Sequence, residues 1–246
     1  PWRKARLNKS SRPFLGALIL SITLGSVAWS LQTGGRLLGP IGLALAFWVL
    51  AGAIIDFYSR LGNSQVHLKI RLYRLYSLRG ADWGKTIAHI GFGLIIFGIS
   101  AITAWEVEDI RVLKIKETAT IGGFEFRLDN VRNIKGANYS STMAEVSITR
   151  NGKTFAILKP EKRLYPVQKI TTTEAAIDMG LVRDLYVVLG DQQENGGWVV
   201  RTYIKPFVNW IWIGALVLAF GGLISLSDRR YRLGSVSKQA LATKQM

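Results

Sequence analysis

Four stretches of this chain are almost purely apolar, and between the third and fourth of them the pattern changes character. Residues 14–31 (FLGALILSITLGSVAWSL) carry no charge, residues 37–57 (LLGPIGLALAFWVLAGAIIDF) carry only Asp56 near the end, and residues 207–226 (FVNWIWIGALVLAFGGLISL) carry none. The run at 83–104 (WGKTIAHIGFGLIIFGISAITA) is broken only by Lys85, His89 and a few hydroxyls. At about 1.5 Å rise per residue, each is long enough to cross a bilayer as a helix. The turn 32–36, with Gly34-Gly35 at its centre, is short enough to make the first two an antiparallel hairpin. Pro40 falls in the first turn of the second helix, where it is tolerated.

Residues 105–206 read differently. Apolar and polar positions alternate, or β-formers dominate, over 111–116, 124–131, 143–149, 154–158, 185–189 and 198–204. Asn151-Gly152 is a strong hairpin signal of the type I′ kind. Six or so short strands predict a small antiparallel barrel or sandwich. A short helix is expected over 172–179, where Thr171 and Glu174 have capping-box spacing. The fold class is therefore an α-helical integral membrane protein of four transmembrane helices, with a β-rich extracytoplasmic domain inserted between helices 3 and 4.

Charge orients this arrangement. The net charge is +16, a value that suggests nucleic acid until it is located. Residues 105–206 hold 15 basic and 13 acidic side chains, so +14 of the +16 lies elsewhere. Five Lys/Arg stand in 1–12, five in 58–82 and five after 226, against Arg36 alone in the turn 32–36. This is the positive-inside pattern and excludes a nucleic-acid footprint. The segments 1–12, 58–82 and 227–246 are expected to be cytoplasmic and 105–206 periplasmic, with Trp29, Trp105, Trp210 and Trp212 in an aromatic belt at the outer interface. Within 58–82, the stretch 67–78 is basic and amphipathic and is expected to lie on membrane lipid. The chain has no cysteine, which excludes disulfides and thiolate metal sites. It begins with Pro1, as expected of a processed or partial product or the downstream piece of something larger.

Chemistry concentrates on one residue. There is no Walker loop, GxSxG elbow or HExxH, and 105–206 contains no histidine. His89 stands six residues into the third span, about 9 Å from its inner end. An ionisable side chain there points to function. Thr86, His89, Gly93, Phe97 and Ser100 follow helical steps of three and four, and Gly93 leaves room for a flat ligand or another helix. Gly84, Gly91 and Gly98 form a second, close-packing stripe. From the residues alone, three roles stand open for His89: a hydrogen bond to a neighbouring helix, an axial haem ligand, or a proton relay. One histidine supplies one axial ligand, so a six-coordinate haem needs a second from outside these residues or from a less usual side chain.

The runs Tyr165-Pro166, TTTEAAI (171–177), DLYVVLGD (184–191), GGWVVRTY (196–203), KPFVNWIW (205–212), Gly221-Gly222 and DRRYR (228–232) resemble the carboxy-terminal part of the CcmF family. AHIGFGLIIFGI (88–99) resembles its histidine-bearing helix. Gly136, Asn138 and Tyr139 resemble a stretch of its outer domain, and Pro1-Trp2-Arg3 the opening of this region. This family is the large integral-membrane subunit of the cytochrome c haem lyase. The resemblance implies haem handling and covalent haem attachment to apocytochrome c, with a CcmE-type haem chaperone and CcmH-type subunits as partners. It implies haem b in the membrane, with His89 as axial ligand to the haem iron, and a bacterial inner-membrane location (mitochondrial inner membrane if organelle-encoded). The family's Trp-rich motif and its other histidines are not in this sequence, so activity alone is not expected. An N-terminal CcmF portion or partner subunit is the expected complement. A non-catalytic assembly scaffold and a permease fragment with His89 as proton relay are the alternatives.

Overall fold

The computed structural model describes residues 7–62 and 66–228, with side chains from residue 14 onward. The first six positions, Pro1-Trp2-Arg3 among them, and the basic tail beyond Asp228 lie outside the described residues. The chain divides into a helical unit (Pro1–Ala104 with Trp210–Met246) and a strand unit (Trp105–Asn209).

The helical unit holds α1 (Leu7–Leu31), α2 (Leu38–Leu61), α3 (Leu68–Ser77), α4 (Gly80–Trp105) and α5 (Asn209–Ser227). All but α3 are long and apolar enough to cross a membrane. Short side chains let them approach. A Cβ added at Gly25 of α1 would lie 2.8 Å from the Ala44 Cβ of α2, and one at Gly39 of α2 would lie 2.9 Å from the Ala104 Cβ of α4. The α4–α5 crossing is closer still. A Cβ at Gly84 would lie 2.5 Å from the Gly221 carbonyl oxygen, and one at Gly91 would lie 2.6 Å from that of Gly214. Two helices without a mutual hydrophobic drive in lipid gain association from this kind of backbone contact. Hydrogen bonds close the ends. Thr33 in the α1–α2 turn donates its N–H to the Ala104 carbonyl at 3.0 Å, and Asp228 accepts the Ala81 N–H at 3.0 Å. The latter is a carboxylate at a helix N-terminus, where the helix dipole favours it.

The strand unit contains ten strands, all paired antiparallel, in two sheets. One sheet has the order β1 (Val107–Leu113), β10 (Trp198–Pro206), β9 (Arg183–Gln192), β8 (Ala176–Asp178). The other has the order β2 (Thr118–Ile121), β3 (Phe124–Lys135), β4 (Ser140–Arg150), β6 (Glu161–Tyr165), β7 (Ile170–Glu174), with β5 (Lys153–Leu158) also on β4. Alternate side chains of the long strands fill one core: Phe124, Phe126 and Leu128 from β3, Val146 and Ile148 from β4, Leu185, Val187 and Leu189 from β9. This is the period-2 burial that alternation predicts. Asn151 and Gly152 have φ of 52° and 71°, as a type I′ turn requires.

The helix expected over 172–179 is not there. That segment is β7, a break at Ala175, and β8. Thr171, Thr172 and Thr173 are β-branched, and β6 offers them a full ladder, Leu164↔Thr171 through Lys162↔Thr173. The Thr172 hydroxyl donates to Glu174 at 3.0 Å along one face of the strand, so Glu174 does not close a capping box. The strand expected over 111–116 instead ends at Leu113, because Lys116 turns to φ 74°.

Candidate functional site

His89 lies on α4 and is exposed. Its Nδ1 is 2.8 Å from the carbonyl oxygen of Lys85, one turn back. A carbonyl only accepts, so Nδ1 carries the hydrogen and donates. In the neutral ring this leaves the Nε2 lone pair available, which is the form in which imidazole ligates a metal. The carbonyl also fixes the ring's orientation, as the outer partner of a ligating histidine does.

Beside the imidazole runs an open groove of about 310 Å³ between α1, α2 and α4. Phe14, Trp48, Val49 and Ala53 give it apolar walls, Gly52 keeps its floor low, and Asp56 and Lys85 close one end. The charged end is fully paired. Asp56 accepts from Lys85 at 2.5 Å and from Arg60 at 3.2 Å, and Arg60 reaches on to Asp82. Charges therefore alternate Lys85, Asp56, Arg60, Asp82 between α2 and α4, as ions in a low-dielectric setting require.

The other residues in step with His89 do not gather around it. Thr86, Gly93 and Ser100 are buried. A Cβ at Gly93 would lie 2.7 Å from Leu50 Cγ, and one at Gly42 would collide with the Ser100 hydroxyl, so this stripe packs on α2. The gap that Gly93 opens is filled by a helix. Phe97 lies between Phe47 and Trp210, each 6.2 Å from it by ring centroid. Periodicity in the third span does not find the opposite wall of the groove. Trp48, Gly52 and Asp56 are spaced by four on α2, and that spacing is the available signal.

Among the described residues no group of three or more His, Cys, Asp or Glu could hold a metal ion. A haem iron asks for less, one nitrogen on each axial side. An oriented imidazole with Nε2 left unengaged by the Lys85 carbonyl, beside apolar and aromatic walls, fits one of these two positions.

A second set of motif residues converges in the strand unit. The Tyr139 ring covers Gly136, where a Cβ would lie 2.5 Å from it, and the Gly136 N–H donates to the Tyr139 carbonyl at 2.8 Å. The Arg163 guanidinium sits 4.6 Å over that ring, and Tyr165 lies 5.6 Å from it. Tyr139 and Tyr165, 26 residues apart in sequence, form one aromatic pair over Gly136, capped by a cation.

Comparison with known proteins follows the same division. A family model described as the CcmF C-terminal beta-sandwich matches residues 104–206. The cytochrome c-type biogenesis protein ccl1 of Rhodobacter capsulatus is 43% identical over 240 residues, covering 98% of this chain and 36% of that protein. The cytochrome c-type biogenesis protein CcmF of Escherichia coli is 37% identical over 220 residues, covering 89% of this chain and 32% of its own length. A solved structure titled Cytochrome c Heme Lyase CcmF has a TM-score of 0.67 at 19% identity, over 92% of this chain and 36% of that one. The fold is shared with it. The chain spans about a third of the length of the curated relatives it matches.

Proposed function

This chain belongs to the CcmF family of cytochrome c-type biogenesis proteins, and from that membership we propose that it handles haem during cytochrome c maturation. In this reading His89 gives one axial bond to a b-type haem held within the membrane. The observation that carries it is the ring itself: Nδ1 donates to the Lys85 carbonyl at 2.8 Å, and Nε2 is left to ligate beside the groove. When bound, such a haem supplies one-electron chemistry, suited to keeping incoming haem iron reduced. Lys85 orients the ligand through its carbonyl while its ammonium is neutralised by Asp56. The second axial ligand comes from the family's upstream portion.

The charge bias supports the strand unit standing on the periplasmic side of the inner membrane, between the third and fourth spans. There it forms part of the surface met by a CcmE-type chaperone, CcmH-type subunits and the apocytochrome. The proton-relay alternative is disfavoured by the pairing of Asp56 with both Lys85 and Arg60, which leaves that carboxylate committed.

An absorption spectrum tests the ligand. The chain purified with the upstream portion of its family is expected to show a low-spin b-type spectrum that His89→Ala abolishes and His67→Ala leaves intact. An unchanged spectrum in His89→Ala would overturn the assignment. Blocked cytochrome c assembly with the haem still bound would favour the scaffold reading instead.

A further inference from the structure

The turn between β8 and β9, residues 179–182, carries exposed apolar side chains. Met179, Leu181 and Val182 are 74%, 65% and 60% exposed. No charge stands among them. The next residue, Arg183, folds its guanidinium back over Phe124 and Phe155, 4.3 and 5.0 Å from the ring centroids, and the carboxylate after it, Asp184, is 2% exposed.

This turn is bonded to the residues that open α5. The Phe207 N–H donates to the Val182 carbonyl at 2.9 Å. The Asn209 amide donates to the Gly180 carbonyl at 2.9 Å and to Asp184 Oδ1 at 2.8 Å, and the same Oδ1 accepts the Gly180 N–H at 2.9 Å. Asn209 is the first residue of α5, which has 19 residues. At about 1.5 Å each they extend roughly 28 Å, barely the thickness of a hydrocarbon core. A span that short has no slack, so Asn209 stands at the edge of the hydrocarbon, and whatever is hydrogen-bonded to it stands there too.

We propose that Met179, Leu181 and Val182 form a membrane-surface anchor, seated in the lipid headgroup–acyl boundary beside the start of α5. Lipid is the occupant because the three exposed side chains are all apolar and their turn is hydrogen-bonded to Asn209, the residue that opens a helix long and apolar enough to cross a membrane. Apolar tips whose neighbouring charges are folded against the strand unit are what an interfacial segment needs. The inference rests on α5 crossing a bilayer and is independent of whether His89 binds haem.

The chain has no cysteine, so single labels are specific. Met179→Cys and Val182→Cys, each carrying a nitroxide, are prepared in the full chain in vesicles of phosphatidylcholine and phosphatidylglycerol. Collision with oxygen is compared with collision with a water-soluble nickel chelate. Both labels are expected to favour oxygen severalfold, as is a label at Leu223, which is exposed on α5. A label at Val167, 85% exposed on the β6–β7 turn, is expected to favour nickel. That turn lies beyond Lys162, which pairs with Asp191 at the opposite end of β9 from Arg183. Nickel-dominated labels at both 179 and 182 would overturn the proposal. So would shielding from both reagents, which would mean that protein, not lipid, covers the turn. The two substitutions are independent and at exposed side chains, so misfolding of one leaves the other to decide.

Discussion

An imidazole four residues after a lysine has its ring fixed by backbone alone, and at His89 this leaves the lysine side chain free to do something else. Lys85 spends it on Asp56, and the pair ties α4 to α2 one turn from the proposed ligand. Asp56→Ala and Lys85→Ala are each expected to lower the thermal stability of the detergent-solubilised protein. The double variant is expected to lose less than their sum, with a coupling of about 1 kcal/mol for a partly exposed pair. A second carboxylate gives a pH signature. Burial pushes the Asp184 carboxyl above its ordinary range, against the Gly180 hydrogen bond that lowers it. The folded protein therefore binds that proton more readily than the unfolded chain. The contribution is complete below the ordinary carboxylate range and is lost as pH rises through the higher folded value. Asp184→Asn keeps an accepting oxygen for Gly180 and never ionises. It is expected to melt higher than the parent at neutral pH and to lose the decline across that window, as thermal unfolding from acid to neutral pH would show. His89 was legible in the sequence because an imidazole interrupts an apolar run. Asp184 was not, because a carboxylate inside DLYVVLGD looks like a strand-end charge until its 2% exposure is seen.

At the scale of elements, the helices followed their apolar runs because length and hydropathy decide a span without help from tertiary contacts. The Gly84 and Gly91 stripe was also readable, and its partner turns out to be Gly221 and Gly214 of α5. Gly91→Ala is expected to cost about 1–3 kcal/mol, because the new methyl meets the α5 backbone rather than a yielding side chain. Gly222→Ala, with open space around it, is expected to be neutral or slightly stabilising, as denaturation in detergent would report. Strands with an alternating core face were recognisable from that face, β3 and β4 above all. β6 and β7 were not. Glu161-Lys162-Arg163 shows no apolar period, and Thr171 with Glu174 imitates a helix start. β6 becomes a strand through pairing with β4 and β7 through pairing with β6, which local pattern does not encode.

For the whole molecule, the charge map and the two units describe the same division: residues 105–206 hold only +2 of the +16, and Trp105–Asn209 is the strand unit. The groove at His89 was beyond reach of the sequence because its walls come from α1, α2 and α4 together. The strand unit's first and last strands, β1 and β10, pair along their whole lengths, Val107↔Ile204 to Leu113↔Trp198. That is the pairing of greatest sequence separation in the sheet, and in a free chain it would be the slowest to find. Yet α4 and α5, on either side of those strands in the chain, already meet through their glycines. Closing a loop of about 100 residues costs on the order of 4 kcal/mol in chain entropy. A helix pair formed before the strands would meet that cost, and β1 would then search for β10 as though the two were neighbours in sequence. A chain in which Gly91→Ala loosens that crossing is expected to refold its strand unit more slowly, as stopped-flow refolding from denaturant would show.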